Sequence, residues 1–569
     1  MKIFIKEHWL DLLFLLGITA VLMIPYLGMD LLPIEHDTFF HVSRIEQLSR
    51  SISEGNWFPA IYPYENYGFG YSSPLFYSDV LLIPAALLHL TGVPLTICYK
   101  ASVMAASFIS AYAMWHLSMK ISQKRSLSWL ASAAYIFANY RITDIYVRGA
   151  LGEVFAMMFL PMLLEGLCVI LWQKDKKWHM LAIGLTGLAL SHDLTFLMGV
   201  LLCIILFAVK IKELTKEIFL ALCKGVGTAF LLTAFFTLPM IEQLLSQKYV
   251  LNYGTDLGAG AMHLWQFFVN KTVFGMSGYN LTPENTMTMN VGWFLTFAPL
   301  LFLLLDHKKK EHPFVLTLCI IGYIAMLLPT NIIPWSSLTF LRFMQFPWRL
   351  STIAMLCLAV PSAYGIFALC SKNWFAPIIL VCLIGEGIYH VVPVFSRTFG
   401  MTSAMTWSDI LNGAIIDPCY KATYIRVELA GADYLPQNAP DYRTYGTTIK
   451  DDTETALDIS YTKTGTKMVF EVSDETTSSF VLPLTYYKGY QVARVNDDGS
   501  TEYINTYKTY DGMVACDNIG SGTYVCWYEN TWIRKISMNV SLATAVMLAL
   551  SAFWKKKKID RHVCRRSSH

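Results

Sequence analysis

The sequence predicts an α-helical polytopic membrane protein, roughly 11–13 transmembrane helices in all, with a β-rich extracytoplasmic domain near the C-terminus. Three observations carry this. Apolar runs near twenty residues recur along the chain of 569 residues, the length a helix needs to cross a bilayer core of about 30 Å. Hydrophobic residues make up 54% and charged residues 15%, with a mean hydropathy of +0.43, a balance that excludes a soluble α/β architecture. Between about 393 and 534 the pattern changes to short alternating runs bounded by Gly, Asn, Asp and Ser, as in strands and their turns. The net charge of +3 sums basic turns with an acidic C-terminal region, so the distribution of charge is more telling than its total. The expected organisation is a transmembrane part over 1–392, an external domain over 393–534, and a final helix with a basic tail over 535–569.

The first apolar run, Trp9 to Gly28, lacks a small-residue cleavage site and reads as a retained helix. Lys2 and Lys6 precede it and Glu35, His36 and Asp37 follow it, which puts the N-terminus in the cytoplasm and Asp37 on the outer face. Next come Gly55–Pro59 and Tyr67–Tyr77, rich in glycine and aromatics, as suits an ordered loop at the membrane interface. Apolar stretches at 75–92 and 98–119 follow. If both crossed, Lys120, Lys124 and Arg125 would lie outside, against the positive-inside rule, so 75–92, with its Pro84, is expected to be re-entrant or superficial.

Basic turns at Lys174–Lys177, Lys210–Lys216 and His307–Lys310 then form one cytoplasmic set with 120–126. Residues 127–140 rise to deliver Tyr140–Glu153 outside, and helices near 150–172, 178–192, 194–210 and 217–240 place Ser191–Leu194 at an outer turn. A polar and aromatic stretch, 241–290, is external; helices near 291–305, 313–330, 350–370 and 373–392 follow, with Trp335–Arg349 as an outer loop. Strands are expected at Lys467–Ser473, Ser479–Thr485 and Gly522–Tyr528. The last apolar run, about 537–554, ends in Lys555–Lys558, which returns the tail to the cytoplasm.

Eight of the twelve cysteines, Cys98, Cys168, Cys203, Cys223, Cys319, Cys357, Cys370 and Cys382, lie in or beside apolar segments, without C-x-x-C or zinc spacing, and read as small core residues. Cys419, Cys516 and Cys526 fall in the external domain, where the last two could pair in an oxidising compartment.

Charge near a membrane is costly, so its clustering on one side is informative. The outer loops offer the acids Glu35, Asp37, Asp144, Glu153 and Asp193, the histidines His36, His41 and His192, and the arginines Arg44, Arg141, Arg148, Arg342 and Arg349. A carboxylate can act as a general base, and arginine forks suit a phosphate. Structural readings stand beside these. Asp37 is placed to cap a helix beginning at Thr38, and Asp37, His41 and Arg44 are spaced for a local ion-paired turn. Arg349 after Trp348 suits an interface anchor, Glu153 suits pairing with Arg148, and His192-Asp193 is too short to define a dyad.

His36-Asp37 with His41 and Arg44, Tyr67–Tyr71, Tyr140–Glu153, Ser191–Asp193 and Gln345–Arg349 together resemble the bacterial membrane family labelled "6-pyruvoyl-tetrahydropterin synthase-related", close to the YfhO-like proteins, over most of residues 1–370. The resemblance implies a GT-C glycosyltransferase fold, an acid in the first external loop, a second in the next, and a polyprenyl-phosphate-sugar donor. Carried over by position, Asp37 matches the first acid and Glu153 or Asp144 the second, while Arg349 falls at a donor-phosphate position, with Arg148 and Arg342 beside it in that role. His36, His41, Arg44, Tyr71, His192 and Asp193 are the expected substrate contacts. The pterin label finds no support, because the zinc-binding histidine cluster of a pterin synthase is missing from the sequence. His36-Asp37 stands where better-known glycosyltransferases have paired acids, so no cofactor is expected and metal dependence is left open.

The expected function is transfer of one sugar from a polyprenyl-phosphate carrier to a cell-envelope polymer or lipid acceptor, with inversion and with Asp37 as base; membrane lipid is a partner and nucleic acid is not. Two rivals are a lipid or polysaccharide transporter, which should carry mid-helix polar residues and interrupted helices in matching halves, and a non-catalytic assembly factor presenting 393–534.

Overall fold

The computed structural model describes residues 2–27, 32, 36–252, 256–272, 287–306, 310, 312–369, 375–404, 432–473, 477–496 and 499–566. Glu35, His307 to Lys309, Cys370, Cys419 and the Asp497-Asp498 turn lie outside these. The chain divides into two compact units: 1–59, 79–222 and 251–432 form the first, and 60–78, 223–250 and 433–569 the second.

Helices dominate the first unit. Among the described residues seven helices are long and apolar enough to cross a membrane, Glu7–Tyr26, Leu95–Ser122, Leu151–Trp172, Asp193–Glu213, Lys216–Ser246, Pro347–Leu369 and Trp532–Trp554, with five shorter apolar helices beside them. Among the short ones is Val80–Leu90, whose eleven residues rise only about 17 Å. The stretch 75–92 therefore cannot span the bilayer as a straight helix. The helix Phe375–Ala404 continues past residue 392.

The carboxylate inside the first of these helices has partners. Asp11 lies fully buried in the first helix, where Arg125 Nε approaches Oδ1 at 3.0 Å and Trp129 Nε1–H donates to it at 2.7 Å. Compensation of this kind is what allows a carboxylate to sit in an apolar helix.

Among the described residues of the second unit eight strands make two antiparallel sheets. They are β1 Tyr461–Thr464, β2 Lys467–Val472, β3 Ser479–Thr485, β4 Tyr490–Val495, β5 Thr501–Ile504, β6 Thr506–Lys508, β7 Met513–Asp517 and β8 Gly522–Tyr528. The order is β1-β2-β8-β4-β5 in one sheet and β3-β7-β6 in the other. Alternation drives inward Met468, Phe470 and Val472 of β2 and Tyr524 and Cys526 of β8. The rings of Phe470, Phe480 and Tyr524 meet with centroids 5.2 to 5.7 Å apart and join the two sheets. Cys516 and Cys526 are buried and unbonded.

The sandwich is stitched to two helices of its own unit. Gln243, near the end of Lys216–Ser246, accepts from the Lys488 backbone N–H at 3.1 Å and donates to the Lys488 carbonyl at 2.8 Å. Ser541 Oγ donates to Leu231 O at 2.8 Å and accepts from Phe235 N–H at 3.0 Å, bridging one turn of that helix.

Candidate active site

The site in the first unit is built outward from Glu153, the third residue of the helix Leu151–Leu167. Just before it, Asp144–Arg148 is wound as a π turn and Gly149 reverses the chain at φ 60°, a conformation glycine adopts without strain. Glu153 is fully buried and both its oxygens are engaged. Oε1 accepts from the Tyr140 hydroxyl at 2.5 Å and the Thr352 hydroxyl at 2.9 Å. Oε2 accepts from Arg148 Nη1 at 2.7 Å and lies 3.8 Å from Arg349 Nη1. Asp144 Oδ1 also accepts from Arg148 Nη1, while Oδ2 has no partner among the described residues.

Burial pushes the Asp144 carboxyl well above the usual range; Arg148 opposes this and Glu153 adds to it. For Arg148, burial alone would lower the pKa, but the carboxylates of Asp144 and Glu153 raise it well above its ordinary value, so the guanidinium stays charged. Glu153 is thus an anchor for arginine, fully shielded from solvent.

Arg349 comes from the turn Pro347–Leu350. Its Nη2 donates to Gln345 Oε1 at 2.7 Å, and Gln345 is held at φ 62°, a backbone conformation non-glycine residues rarely adopt. Trp348 stacks on Phe346 at 4.8 Å, Arg148 lies 4.6 Å from the Trp348 ring and Arg349 5.7 Å from it, so two guanidinium groups share one aromatic platform. Arg349 Nη1 is 3.1 Å from His192 Nε2. On its other side His192 Nδ1 caps the helix Asp193–Lys210, accepting from the Thr195 backbone N–H at 3.3 Å and lying 2.8 Å from Thr195 Oγ1.

Burial and then Arg349 push the His192 pKa down to about 3, with Glu153 opposing. The unfolded histidine titrates near 6.5, so it binds a proton that the folded one refuses. The stabilisation from neutral His192 is therefore complete above roughly pH 6.5 and drains as pH falls toward about 3. His192→Asn is expected to lose less thermal stability than the native chain between pH 7 and pH 5 in detergent. Equal slopes in the two melting profiles would refute this.

Asp37 approaches the same cluster. Its backbone N–H donates to Arg148 O at 2.7 Å and that of His36 to Val147 O at 3.3 Å, pairing the first loop with the π turn. Asp37 occupies the N-cap position of the helix Thr38–Ser53, yet its side chain makes no capping hydrogen bond. The carboxylate is half-exposed, and its charge is felt at Arg148. Nor does it pair with Arg44, whose Nε and Nη2 donate to Asp79 Oδ1 at 2.9 and 2.6 Å in a buried ion pair. His41 Nδ1 lies 3.3 Å from Arg44 Nη1, and burial followed by Arg44 holds His41 well below the usual histidine range, so it is neutral.

Asp37, His41, Asp144, Arg148, Glu153, His192 and Arg349 are thereby brought into one connected set. Asp193 opens the helix Asp193–Lys210, half-exposed and within electrostatic reach of Arg44. His36 is exposed. Arg342 is exposed on the turn Thr339–Met344 and makes no side-chain ion pair or hydrogen bond among the described residues. Tyr71 belongs to the second unit, where its hydroxyl oxygen accepts from the Tyr434 N–H at 3.3 Å. Among the described residues no group of three or more His, Cys, Asp or Glu could hold a metal ion.

Sequence reasoning missed Tyr140, Thr352, Trp348, Gln345, Thr195 and Asp79 as working members. Tyr140, Gln345 and Trp348 lay inside the motif stretches, but a neutral side chain between charged ones gives no signal of its own. Asp79 is 35 residues from Arg44, too far for helix spacing to pair them.

No family model matches the chain and no curated protein matches it, so the family suggested by the motifs is not supported by any match. Among solved structures it is similar to the cryo-EM structure of the arabinofuranosyltransferase AftD from Mycobacteria, at 12% identity and a TM-score of 0.42 over 66% of this chain. A mutant of that enzyme gives 12% identity and a TM-score of 0.43 over the same share. The chain spans 26% and 27% of the length of those two structures.

Proposed function

We propose that the protein is a membrane glycosyltransferase that moves a sugar from a polyprenyl-phosphate-linked donor to a hydroxyl of a cell-envelope acceptor on the outer face. The observation that carries this reading is the pairing of Arg148 and Arg349 on the Trp348 ring with the half-exposed Asp37 carboxylate beside them, tied to Arg148 through its own backbone. Two guanidinium groups on one ring suit the phosphate of a lipid-linked donor. Asp37 accepts the proton of the acceptor hydroxyl, whose oxygen attacks the anomeric carbon from the face opposite the phosphate. The carbon–oxygen bond to phosphate breaks, its electron pair leaves with the carrier phosphate, and the centre inverts. Stabilising the leaving oxygens by a fixed donor is worth about 3 kcal/mol.

In this scheme Asp144 and Glu153, both fully buried, hold the arginines and do not act as bases. Such a reaction can proceed with arginine as the counter-charge. The substrate roles of His36 and Asp193 rest on their places at the ends of the first loop and of the His192 turn.

The test is whether purified protein releases polyprenyl phosphate from a radiolabelled polyprenyl-phosphate sugar only when an envelope acceptor is supplied; label that stays on the carrier in every acceptor fraction refutes the reading. The orientation has its own check. A peptide tag inserted after Tyr510, 88% exposed on the turn before β7, should react with an impermeant label on intact cells. Labelling only after permeabilisation would place the sandwich, and Asp37 with it, on the cytoplasmic side.

A further inference from the structure

Arg141 is fully buried in the turn Asn139–Thr143, and among the described residues its guanidinium makes a single hydrogen bond, Nη2 donating to Ser107 Oγ at 3.2 Å. Its Nε and Nη1 have no partner among the described residues. Ser107 sits deep in the helix Leu95–Ser122, roughly 18 Å of helical rise from the nearer end. One hydroxyl does not offset the cost of a charge at such depth, which marks Arg141 as more than a packing residue.

The other arginines buried in the first unit are matched. Arg44 is paired by Asp79, Arg148 is shared by Asp144 and Glu153, and Arg349 leans on Glu153 and the neutral His192. Of the four arginines buried in the first unit, Arg44, Arg141, Arg148 and Arg349, Arg141 alone makes no ion pair among the described residues; the remaining acids buried there, Asp11 and Glu165, are taken by Arg125 and His116. Arg141 stands three residues before Asp144 on the same helical stretch. Its field therefore falls on Asp144, the acid that shares Arg148.

We infer that Arg141 is a positioning residue of the anion site: it supplies the excess positive charge that makes the Arg148–Arg349 pair select a phosphate over a neutral ligand, acting across Asp144 without touching the ligand. This rests on the phosphate reading of the site.

The test compares binding of geranyl phosphate and of geraniol to the full chain in detergent, by calorimetry. Geranyl phosphate should bind the native protein far more tightly than geraniol. Arg141→Met should weaken geranyl phosphate about tenfold, the scale of one charge acting over several ångströms of protein, and leave geraniol unchanged. Arg141→Lys, which keeps the charge, should stay within about threefold of the native value. Ser107→Asp keeps Arg141 in place and neutralises it where Ser107 Oγ now stands, so it should reproduce Arg141→Met even if the latter folds poorly; Ser107→Asn should not. Parallel loss of both ligands in Arg141→Met and Ser107→Asp would make Arg141 a packing residue, and no loss in either would remove it from the site. If the native protein itself does not prefer geranyl phosphate, or Arg148→Ala leaves that preference intact, the phosphate reading fails instead.

Discussion

Asp37→Asn abolishes sugar transfer while leaving the amount and melting temperature of the purified protein unchanged: this is the outcome the site's geometry leads us to expect. The substitution keeps the shape and removes the carboxylate proposed as the base. Because the Asp37 side chain neither caps its helix nor pairs with Arg44, its charge carries, among the described residues, no local hydrogen bond whose loss would unfold the loop. General-base removal typically lowers a rate by 10²–10⁴-fold, so residual transfer should fall below about 1% of native at matched protein levels. Transfer within a few fold of native would remove Asp37 from the chemistry and leave the backbone pairing of the first loop as its role.

The second large effect is expected at Arg349. Arg349→Ala removes one guanidinium from the Trp348 platform and its bonds to His192 and Gln345. A charge-assisted contact is worth about 1.5–3 kcal/mol, which corresponds to roughly a 10- to 100-fold rise in the donor KM with the acceptor KM little changed. Arg349→Lys should recover part of the loss, since an ammonium restores charge without the planar fork that reaches His192 and Gln345 together. Initial rates with donor and acceptor varied separately decide the matter. Equal effects on both constants would assign Arg349 to holding the turn Pro347–Leu350.

Much of this arrangement is legible from residue order, for physical reasons that differ by element. Long apolar runs announce their helices because lipid and helix length set the same constraint, and Lys467–Val472, Ser479–Thr485 and Gly522–Tyr528 are strands where alternation or a continuous apolar run says so. The short β5 and β6, at Thr501–Ile504 and Thr506–Lys508, are exposed enough to lack such a signature. The motif stretches identify which loops carry the site, but not which acids face solvent. Asp37, Asp144 and Glu153 look alike in the chain, and only packing separates a half-exposed carboxylate from two with no solvent access. Pairings across long separations, Arg44 with Asp79 or Glu153 with Thr352, are invisible to any local rule.

The double contact of Gln243 with the Lys488 backbone, together with the Ser541 bridge across Leu231 and Phe235, changes how the sandwich should be regarded mechanically. A domain on a flexible leash relaxes any pull within the leash. Here the leash is absent at these contacts: strain on the loop between β3 and β4 passes through a side-chain amide into helical backbone, and strain on the last helix passes through a hydroxyl into the same helix. A polymer drawn along the sandwich would therefore load the membrane-spanning rods directly, and single-molecule pulling on a handle at Tyr510 should show the sandwich and both helices yielding in one event, not as a soft extension followed by a second rupture.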